Sequence, residues 1–116
     1  MILGVGTDLV GLDRFAEALE CTPTLRRRLF TDAEAVLPLA SLAARFAAKE
    51  ALAKAVGAPG GLAWHDAEVV TDAAGAPSYV LRGGVAARLA DLGATRTHLS
   101  LSHDAGLALA FCVVES

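Results

Sequence analysis

The run RTHLSLSHDAGLALAFCVVE, at residues 96–115, constrains the fold more than any other part of the sequence. It predicts two strands joined by a turn at HDAG, which together make a β-hairpin. Two further β-like runs, DAEVVTD and PSYVLR, are separated by the glycine-containing link AAGA and predict a second hairpin. Hairpin strands pair antiparallel, whereas a doubly wound parallel sheet needs strands and helices in regular alternation. The sequence therefore predicts an antiparallel sheet.

The rest of the chain predicts one more strand and several helices. ILGVGTDLVGL places apolar residues among glycines, and this pattern predicts a strand with close backbone approach at Gly4 and Gly6. LDRFAEALE has helical spacing, and TPTLRRRLF predicts a helix with Thr22 as its N-cap and Pro23 at its first position. GGVAARLADLG predicts a later helix of about two and a half turns.

Further helices are predicted before the first hairpin. Thr31 followed by Glu34 is a capping-box pattern, and Pro38 ends or interrupts the short helix that begins there. Residues 41–56 are strong helix formers almost throughout, and Gly57 is a suitable terminator. The predicted class is α+β, an antiparallel sheet with helices packed on one face. The predicted order of strands and helices along the chain is β-α-α-α-β-β-α-β-β, in one domain over residues 1–116.

Composition and charge exclude several functional classes. The chain is 54% hydrophobic, but its apolar residues are scattered, and no run approaches the roughly 20 residues that span a bilayer. The N-terminal sequence lacks the basic region of a secretory signal, so we expect a cytoplasmic location. A net charge of -3 argues against a general nucleic-acid binder. Cys21 and Cys112 stand far apart without a CxxC pair, which supports neither a zinc site nor a disulfide framework.

Basic residues are concentrated in the segment TLRRRLF. Arg26, Arg27 and Arg28 are consecutive there, and Arg14 stands a little earlier. One interpretation is a solvated helix face, which is what charge runs usually form. The other is a docking patch for an acidic partner.

The charged residues of the longest predicted helix allow two interpretations. Residues four apart share a helix face, so Arg45 neighbours Lys49, and Glu50 neighbours Lys54 in a pair worth roughly 0.2 to 0.5 kcal/mol. The second interpretation starts from Asp8, because a carboxylate in an apolar strand needs a cation, backbone N–H groups or a metal as its partner. Mg²⁺ binds through one or two carboxylates and substrate phosphates, which suits Asp8 with Glu50. The nearby basic side chains would then neutralise phosphate oxygens.

The segment LSLSHD, at residues 99–104, places polar side chains at a predicted strand end. Ser102, His103 and Asp104 are adjacent in sequence and do not make a hydrolase triad, whose members come from separate segments. The sequence also lacks the G-x-S-x-G elbow of α/β-hydrolases. His103 is either an ordinary turn histidine or a hydrogen-bond partner for a phosphate or a neighbouring subunit.

Three segments together resemble the holo-acyl-carrier-protein synthases, the small bacterial type of 4'-phosphopantetheinyl transferase. GVGTDLV at residues 4–10 resembles the glycine-rich first motif that ends in a metal-binding aspartate. RFAAKEALAKAVG at residues 45–57 resembles the signature helix, and LSLSHD resembles the C-terminal Ser-His motif. The resemblance covers nearly the whole chain.

The resemblance implies an activity and a set of roles. The activity is Mg²⁺-dependent transfer of 4'-phosphopantetheine from coenzyme A to a serine of apo acyl carrier protein, which releases adenosine 3',5'-bisphosphate. The implied catalytic residues are Asp8, Glu50 and Lys54, and the implied Mg²⁺ ligands are Asp8 and Glu50. The implied coenzyme A contacts are Arg45, Lys49, Lys54, Ser102 and His103. The implied docking residues for the acidic helix of the carrier are Arg14, Arg26, Arg27 and Arg28.

The resemblance also implies a homotrimer with active sites between subunits, while hydropathy and net charge argue against a membrane or nucleic-acid partner. Strongly apolar strands at both ends of the chain fit association, because an exposed apolar edge or patch favours it. GAPGG, at residues 57–61, stands where the family commonly has GTG, so a coenzyme A contact is not carried over to it. The alternative function is a non-catalytic module that binds an acidic helical partner through its arginines.

Overall fold

The computed structural model describes residues 1–57 and 62–116. The strands and helices are β1 Ile2–Gly11, α1 Leu12–Cys21, α2 Leu25–Leu29, α3 Asp32–Ala35, α4 Leu39–Ala55, β2 Ala67–Thr71, β3 Pro77–Leu81, α5 Gly83–Leu92, β4 Arg96–Asp104 and β5 Leu107–Glu115. A single 3₁₀ turn, Trp64–Asp66, precedes β2. The segment GAPGG, apart from Gly57, lies outside the described residues.

Both predicted hairpins are present and every strand pair is antiparallel. β1, β5 and β4 form a three-stranded sheet in that order, and β2 pairs with β3. In the larger sheet Asp8 lies opposite Ala110, which lies opposite Leu101. β1 and β4 are therefore the two edge strands of this sheet, because β5 lies between them.

Helix α4 packs directly against the backbone of β1. A Cβ atom added at Gly4 would lie 1.9 Å from the Ala55 carbonyl oxygen, and one at Gly6 would lie 1.8 Å from that of Ala51. The close approach predicted from the glycines is confirmed, since no larger residue fits at either position. This contact brings the charged side chains of α4 next to β1.

The two faces of the larger sheet differ. Alternate residues of β5 are fully buried beneath α4, namely Ala108, Ala110, Cys112 and Val114. The opposite face exposes large apolar side chains from β1 and β5, including Val5, Leu9, Leu107, Leu109 and Phe111. The prediction of helices packed on one face is confirmed, and the other face carries an apolar patch.

The capping box is confirmed, but some helix limits differ from the prediction. The Thr31 hydroxyl accepts from the Glu34 N–H at 3.3 Å, and the Glu34 carboxylate accepts from the Thr31 N–H at 3.0 Å. Helix α2 begins after Thr24 rather than Thr22, because Thr22 is the residue that closes α1, its N–H donating to the Ala18 carbonyl. The described residues form four α-helices between β1 and β2, one more than the predicted order has, because α3 is a helix of its own.

The long helix has the predicted terminator and a slightly earlier start. It begins at Leu39 after Pro38, and beyond its last turn Gly57 adopts a left-handed φ of 88°. Cys21 is exposed and Cys112 is buried, and both are free thiols. Across the described parts of the chain, no helix has the length and apolarity needed to cross a membrane.

Candidate active site

A pocket of about 400 Å³ lies between β1, α1 and α4. The strand contributes Asp8, the long helix contributes Glu50 and Phe46, and α1 contributes Arg14 and Phe15. The rings of Phe15 and Phe46 stack with their centroids 5.3 Å apart and form an apolar wall. The pocket therefore combines two carboxylates, one exposed guanidinium and an aromatic surface.

The partner of Asp8 is Lys54. The lysine Nζ donates to Asp8 Oδ1 at 3.0 Å and to the Thr7 carbonyl oxygen at 2.9 Å. The Asp8 side chain is 18% exposed and that of Lys54 is 53% exposed, so the pair sits at the protein surface with the carboxylate on its inner side. Lys54 does not form the ion pair with Glu50 on the same helix, because it reaches across to Asp8 on the strand instead.

Glu50 shares the pocket with Asp8 without an ion-pair partner among the described residues. Partial burial and then the charge of Asp8 raise the pKa of Glu50, while Lys54 opposes the shift. A carboxylate whose ionised form is disfavoured by a second carboxylate marks a site where a bridging cation is stabilising. Sequence reasoning brought these two residues together correctly.

The donor set fits Mg²⁺. Within residues 1–57 and 62–116, no cluster of three or more His, Cys, Asp or Glu side chains is placed to hold a metal. Mg²⁺ does not need such a cluster, because it usually binds through one or two carboxylates together with waters and substrate phosphates. Asp8 and Glu50, facing an open pocket, are that minimal set, and they are the residues that would hold the ion.

Lys49 does not line the pocket, and the structure leaves it no free donor for the coenzyme A phosphate contact that the resemblance implies. Its Nζ donates to Glu34 Oε1 at 2.9 Å, to the Trp64 carbonyl at 3.0 Å and to the Ala67 carbonyl at 2.9 Å. An ammonium has three N–H donors, so all of them are used within the protein. The side chain is 1% exposed. Burial lowers the pKa of Lys49, against the opposing hydrogen bond to Glu34.

Arg45 lies on the same side of α4 as Lys49. Five residues along a helix correspond to a rotation of about 140°, so Arg45 points away from Glu50. Its residue exposure is 8%, and its Nε is the one buried side-chain nitrogen or oxygen of the described residues that has no hydrogen-bond partner. Arg45 is therefore buried, polar and incompletely satisfied, but it does not line the Asp8–Glu50 pocket.

Ser102 and His103 lie at the opposite edge of the sheet from Asp8. Two strand spacings separate β4 from β1, which corresponds to about 10 Å. Ser102 pairs with Leu109, which pairs with Leu9, so its side chain lies on the exposed apolar face and not on the face of Asp8. His103 pairs with Ala108 and so lies on the same face as Asp8, but neither residue lines the pocket of the carboxylates in a single chain.

The predicted docking arginines occupy two places. Arg14 is exposed and lines the pocket itself. Arg26, Arg27 and Arg28 are exposed on α2, where the Arg26 guanidinium donates to the Ala35 carbonyl at 3.1 Å. Only Arg14 is directly connected to the carboxylate site.

Sequence reasoning missed Glu34 as the partner of Lys49. The capping-box pattern explained Glu34 fully at the level of sequence, so nothing local indicated a second contact. Its partner lies 15 residues away on another helix. The two aromatic residues of the pocket wall were likewise visible only as apolar helix positions.

Comparison with known proteins agrees with the geometry. A family model described as the 4'-phosphopantetheinyl transferase superfamily matches residues 4–112. The holo-[acyl-carrier-protein] synthase of Clavibacter sepedonicus is 60% identical over 115 residues, covering 99% of this chain and 97% of that protein. These matches span both the β1 motif and the long helix.

Solved structures give the same result for the fold. The crystal structure of holo-[acyl-carrier-protein] synthase from Neisseria meningitidis has a TM-score of 0.88 and 36% identity, covering 100% of both chains. The corresponding structure from Helicobacter pylori, in complex with coenzyme A, has a TM-score of 0.84 and 28% identity, covering 96% of this chain and 99% of that one. The α+β prediction is confirmed, and this chain belongs to the 4'-phosphopantetheinyl transferase superfamily, within which it is similar throughout to the holo-[acyl-carrier-protein] synthases.

Proposed function

We propose that residues 1–116 act as one catalytic domain that transfers 4'-phosphopantetheine from coenzyme A to a serine of apo acyl carrier protein. The products are the holo carrier protein and adenosine 3',5'-bisphosphate, and the reaction requires Mg²⁺. The observation that carries the proposal is the pair of carboxylates, Asp8 and Glu50, at one pocket beside Lys54. The full-length similarity to named synthases, one of them solved with coenzyme A, supports the choice of substrate.

The chemistry is attack of the serine hydroxyl oxygen on the phosphorus that bears pantetheine. The bond from that phosphorus to the bridging oxygen breaks, and adenosine 3',5'-bisphosphate leaves with the bonding electrons. Mg²⁺, when bound, would neutralise the diphosphate charge. Asp8 and Glu50 would hold it, and Lys54, half exposed, would stabilise charge that develops on the leaving phosphate. Glu50 would accept the serine proton, directly or through Lys54.

The remaining coenzyme A contacts are proposed across a subunit boundary. Ser102 and His103 are exposed on one edge strand of the sheet, and Asp8 lies on the other edge strand. A neighbouring copy could supply them to the carboxylate pocket, which a single chain does not do. The exposed apolar face of β1 and β5 supports a homotrimer, since such a face is stabilised by association. Arg45 stays a proposed contact of the same ligand on the resemblance alone, because it does not line the carboxylate pocket.

The carrier protein would dock against basic residues on α1 and α2. Arg14 lies on the rim of the pocket, so an acidic helix held there would bring its serine to the reaction centre. Arg26, Arg27 and Arg28 would extend the surface and act mainly through long-range attraction. We propose a cytoplasmic role in fatty-acid biosynthesis, where apo acyl carrier protein and coenzyme A meet.

The alternative of a non-catalytic binding module has no specific observation in its favour. That function leaves Glu50 and Lys54 as a surface pair, whereas Lys54 is bound to Asp8 beside a pocket. The two functions separate in one assay, in which the protein is incubated with coenzyme A, Mg²⁺ and apo carrier protein. The carrier is then weighed by mass spectrometry.

The proposed transferase adds the mass of one phosphopantetheine to the carrier and releases an equal amount of adenosine 3',5'-bisphosphate. Asp8→Ala and Glu50→Gln should abolish the mass gain while carrier binding persists. An unmodified carrier, with folded wild-type protein and a cognate carrier present, would refute the transferase.

A further inference from the structure

The buried contact between Lys49 and Glu34 joins four parts of the chain. Lys49 of α4 donates to Glu34 and to two backbone carbonyls, those of Trp64 and Ala67. Glu34 in turn accepts from the backbone N–H of Thr31 at 3.0 Å and of Val69 at 2.9 Å. The side chains of Lys49 and Glu34 are 1% and 2% exposed. Helix α3, helix α4, the 3₁₀ turn and strand β2 therefore meet at one ion pair.

Stability alone does not account for this pair. Replacing a buried ion pair by apolar side chains of similar volume is often neutral or stabilising, because desolvation offsets the attraction between the charges. A buried polar pair instead specifies one arrangement, since every other arrangement leaves a charge unpaired. Because Lys49 and Glu34 each make several hydrogen bonds, few other positions of the two side chains would satisfy all of these bonds.

Large side chains are few among the buried residues of α4 around Lys49, so they restrain the rotation of the helix less than the held ammonium does. Apart from Arg45 and Lys49, the buried residues of α4 are two leucines, Leu42 and Leu52, and six alanines, namely Ala43, Ala44, Ala47, Ala48, Ala51 and Ala55. A methyl group projects only a short distance from the helix and does not interlock with the facing elements as a larger side chain does. The ammonium of Lys49 is held at three points at the end of a long side chain, so it resists rotation more strongly.

Glu50 follows Lys49 directly and lies about 100° further around the helix. At a side-chain radius of about 5 to 6 Å, a rotation of about 20° would move the Glu50 carboxylate by about 2 Å. Functional side chains must be held within about 0.5 Å of their working geometry. Small errors in the rotation of α4 would therefore separate Glu50 from Asp8.

We infer that Lys49 and Glu34 are a positioning pair that fixes the rotation of α4 and so places Glu50 beside Asp8. This role rests on the proposed transfer reaction, in which Glu50 holds the metal. Lys49 does not touch the substrate, because its three donors are used and its side chain is enclosed.

The test uses the double variant Lys49→Met/Glu34→Gln, which removes both charges together, and Glu34→Gln alone in case the double variant does not fold. The first readout is Mn²⁺ binding in the presence of coenzyme A without carrier, measured by electron paramagnetic resonance. Glu50→Gln supplies the baseline. The second readout is kcat and KM for transfer at a temperature where each protein is folded.

We expect at least a fivefold weaker Mn²⁺ affinity and at least a tenfold lower kcat, with the KM for carrier changed less than threefold. The control is Leu89→Ala, which removes a buried side chain of α5 away from the pocket and should leave both values unchanged in the folded protein. Wild-type Mn²⁺ affinity and kcat in the folded variant would overturn the inference.

The proposed reaction and the positioning role can fail separately. If the wild type binds Mn²⁺ but does not modify the carrier, the transferase proposal fails, and the change in Mn²⁺ affinity still decides the positioning role. If the wild type binds no Mn²⁺ above the Glu50→Gln baseline, Lys49 has no metal site to position and the inference is wrong.

Discussion

Lys54 of α4 donates to Asp8 of β1 across 3.0 Å, although the two residues are 46 positions apart in sequence. The contact exists because Gly4 and Gly6 let the helix lie directly on the strand. The same approach brings Glu50 to the pocket that Asp8 lines. The close approach at these two glycines thus brings Asp8 of the first motif together with Glu50 and Lys54 of the helix motif.

Lys54→Met should reduce activity far more than stability. Lys54 is half exposed, and exposed ion pairs typically contribute about 0 to 1 kcal/mol to folding. Loss of a cation that stabilises transition-state charge typically lowers kcat by a factor of about 100 to 1,000. Urea unfolding and steady-state kinetics measure the two effects. Arg96, whose exposed side chain pairs with Glu115, supplies the control. A similar loss of activity in Arg96→Met would show that the loss is not specific to Lys54.

Glu50→Gln should stabilise the metal-free protein at neutral pH. The pKa of Glu50 is raised by burial and by Asp8, so the folded state favours the protonated carboxyl. That contribution is fully present below the ordinary pKa of about 4.5 and is lost as pH rises through the folded-state pKa. Unfolding free energies of the two proteins should therefore converge near pH 4 and diverge above it. The measurement is urea unfolding in the presence of a chelator, and a difference that is constant with pH would contradict this origin.

Arg14→Glu should weaken use of the carrier protein without disabling the chemistry. Arg14 lines the pocket but pairs with no carboxylate among the described residues, so its charge is available to an acidic partner. We expect the KM for the carrier to rise about tenfold or more, with kcat changed little, because uniform binding is lost. Raising the salt concentration should produce a similar change in the wild type. An unchanged KM would place the docking surface elsewhere.

Gly6→Ala should be strongly destabilising. Its methyl group would lie 1.8 Å from the backbone oxygen of Ala51, so β1 and α4 would have to separate. We expect a loss of about 3 kcal/mol or more in unfolding free energy, at or above the upper end of typical overpacking costs. Gly84→Ala is the matched control, because nothing lies within 4 Å of its Cβ position. Equal midpoints of urea unfolding for the two variants would show that the contact is not tight.

The sequence predicted those parts of the structure that have a local cause. The hairpins, the capping box at Thr31 and the terminator Gly57 follow from turn and capping chemistry within a few residues. That Asp8 has a cationic partner followed from the cost of burying a carboxylate unpaired in an apolar strand, and Lys54 is that partner. The resemblance to a family supplied the reaction that is proposed for these residues.

The sequence did not predict which way the charges of α4 point. Buried residues occupy nearly every side of this alanine-rich helix, so hydrophobic periodicity does not distinguish an inner from an outer face. Lys49 and Glu50 are adjacent in the signature motif, yet one is enclosed with Glu34 and the other faces the pocket. Tertiary contacts determine the direction of each of these two side chains, and no local sequence pattern indicates those contacts.

Anomalous diffraction from crystals grown with Mn²⁺ and coenzyme A tests most directly whether Asp8 and Glu50 share one metal–diphosphate site. A single strong peak is expected within bonding distance of a carboxylate oxygen from each residue and of a diphosphate oxygen. The peak should vanish in Glu50→Gln crystals prepared in the same way. An ordered coenzyme A with its metal bound away from Asp8 and Glu50 would contradict the proposed site.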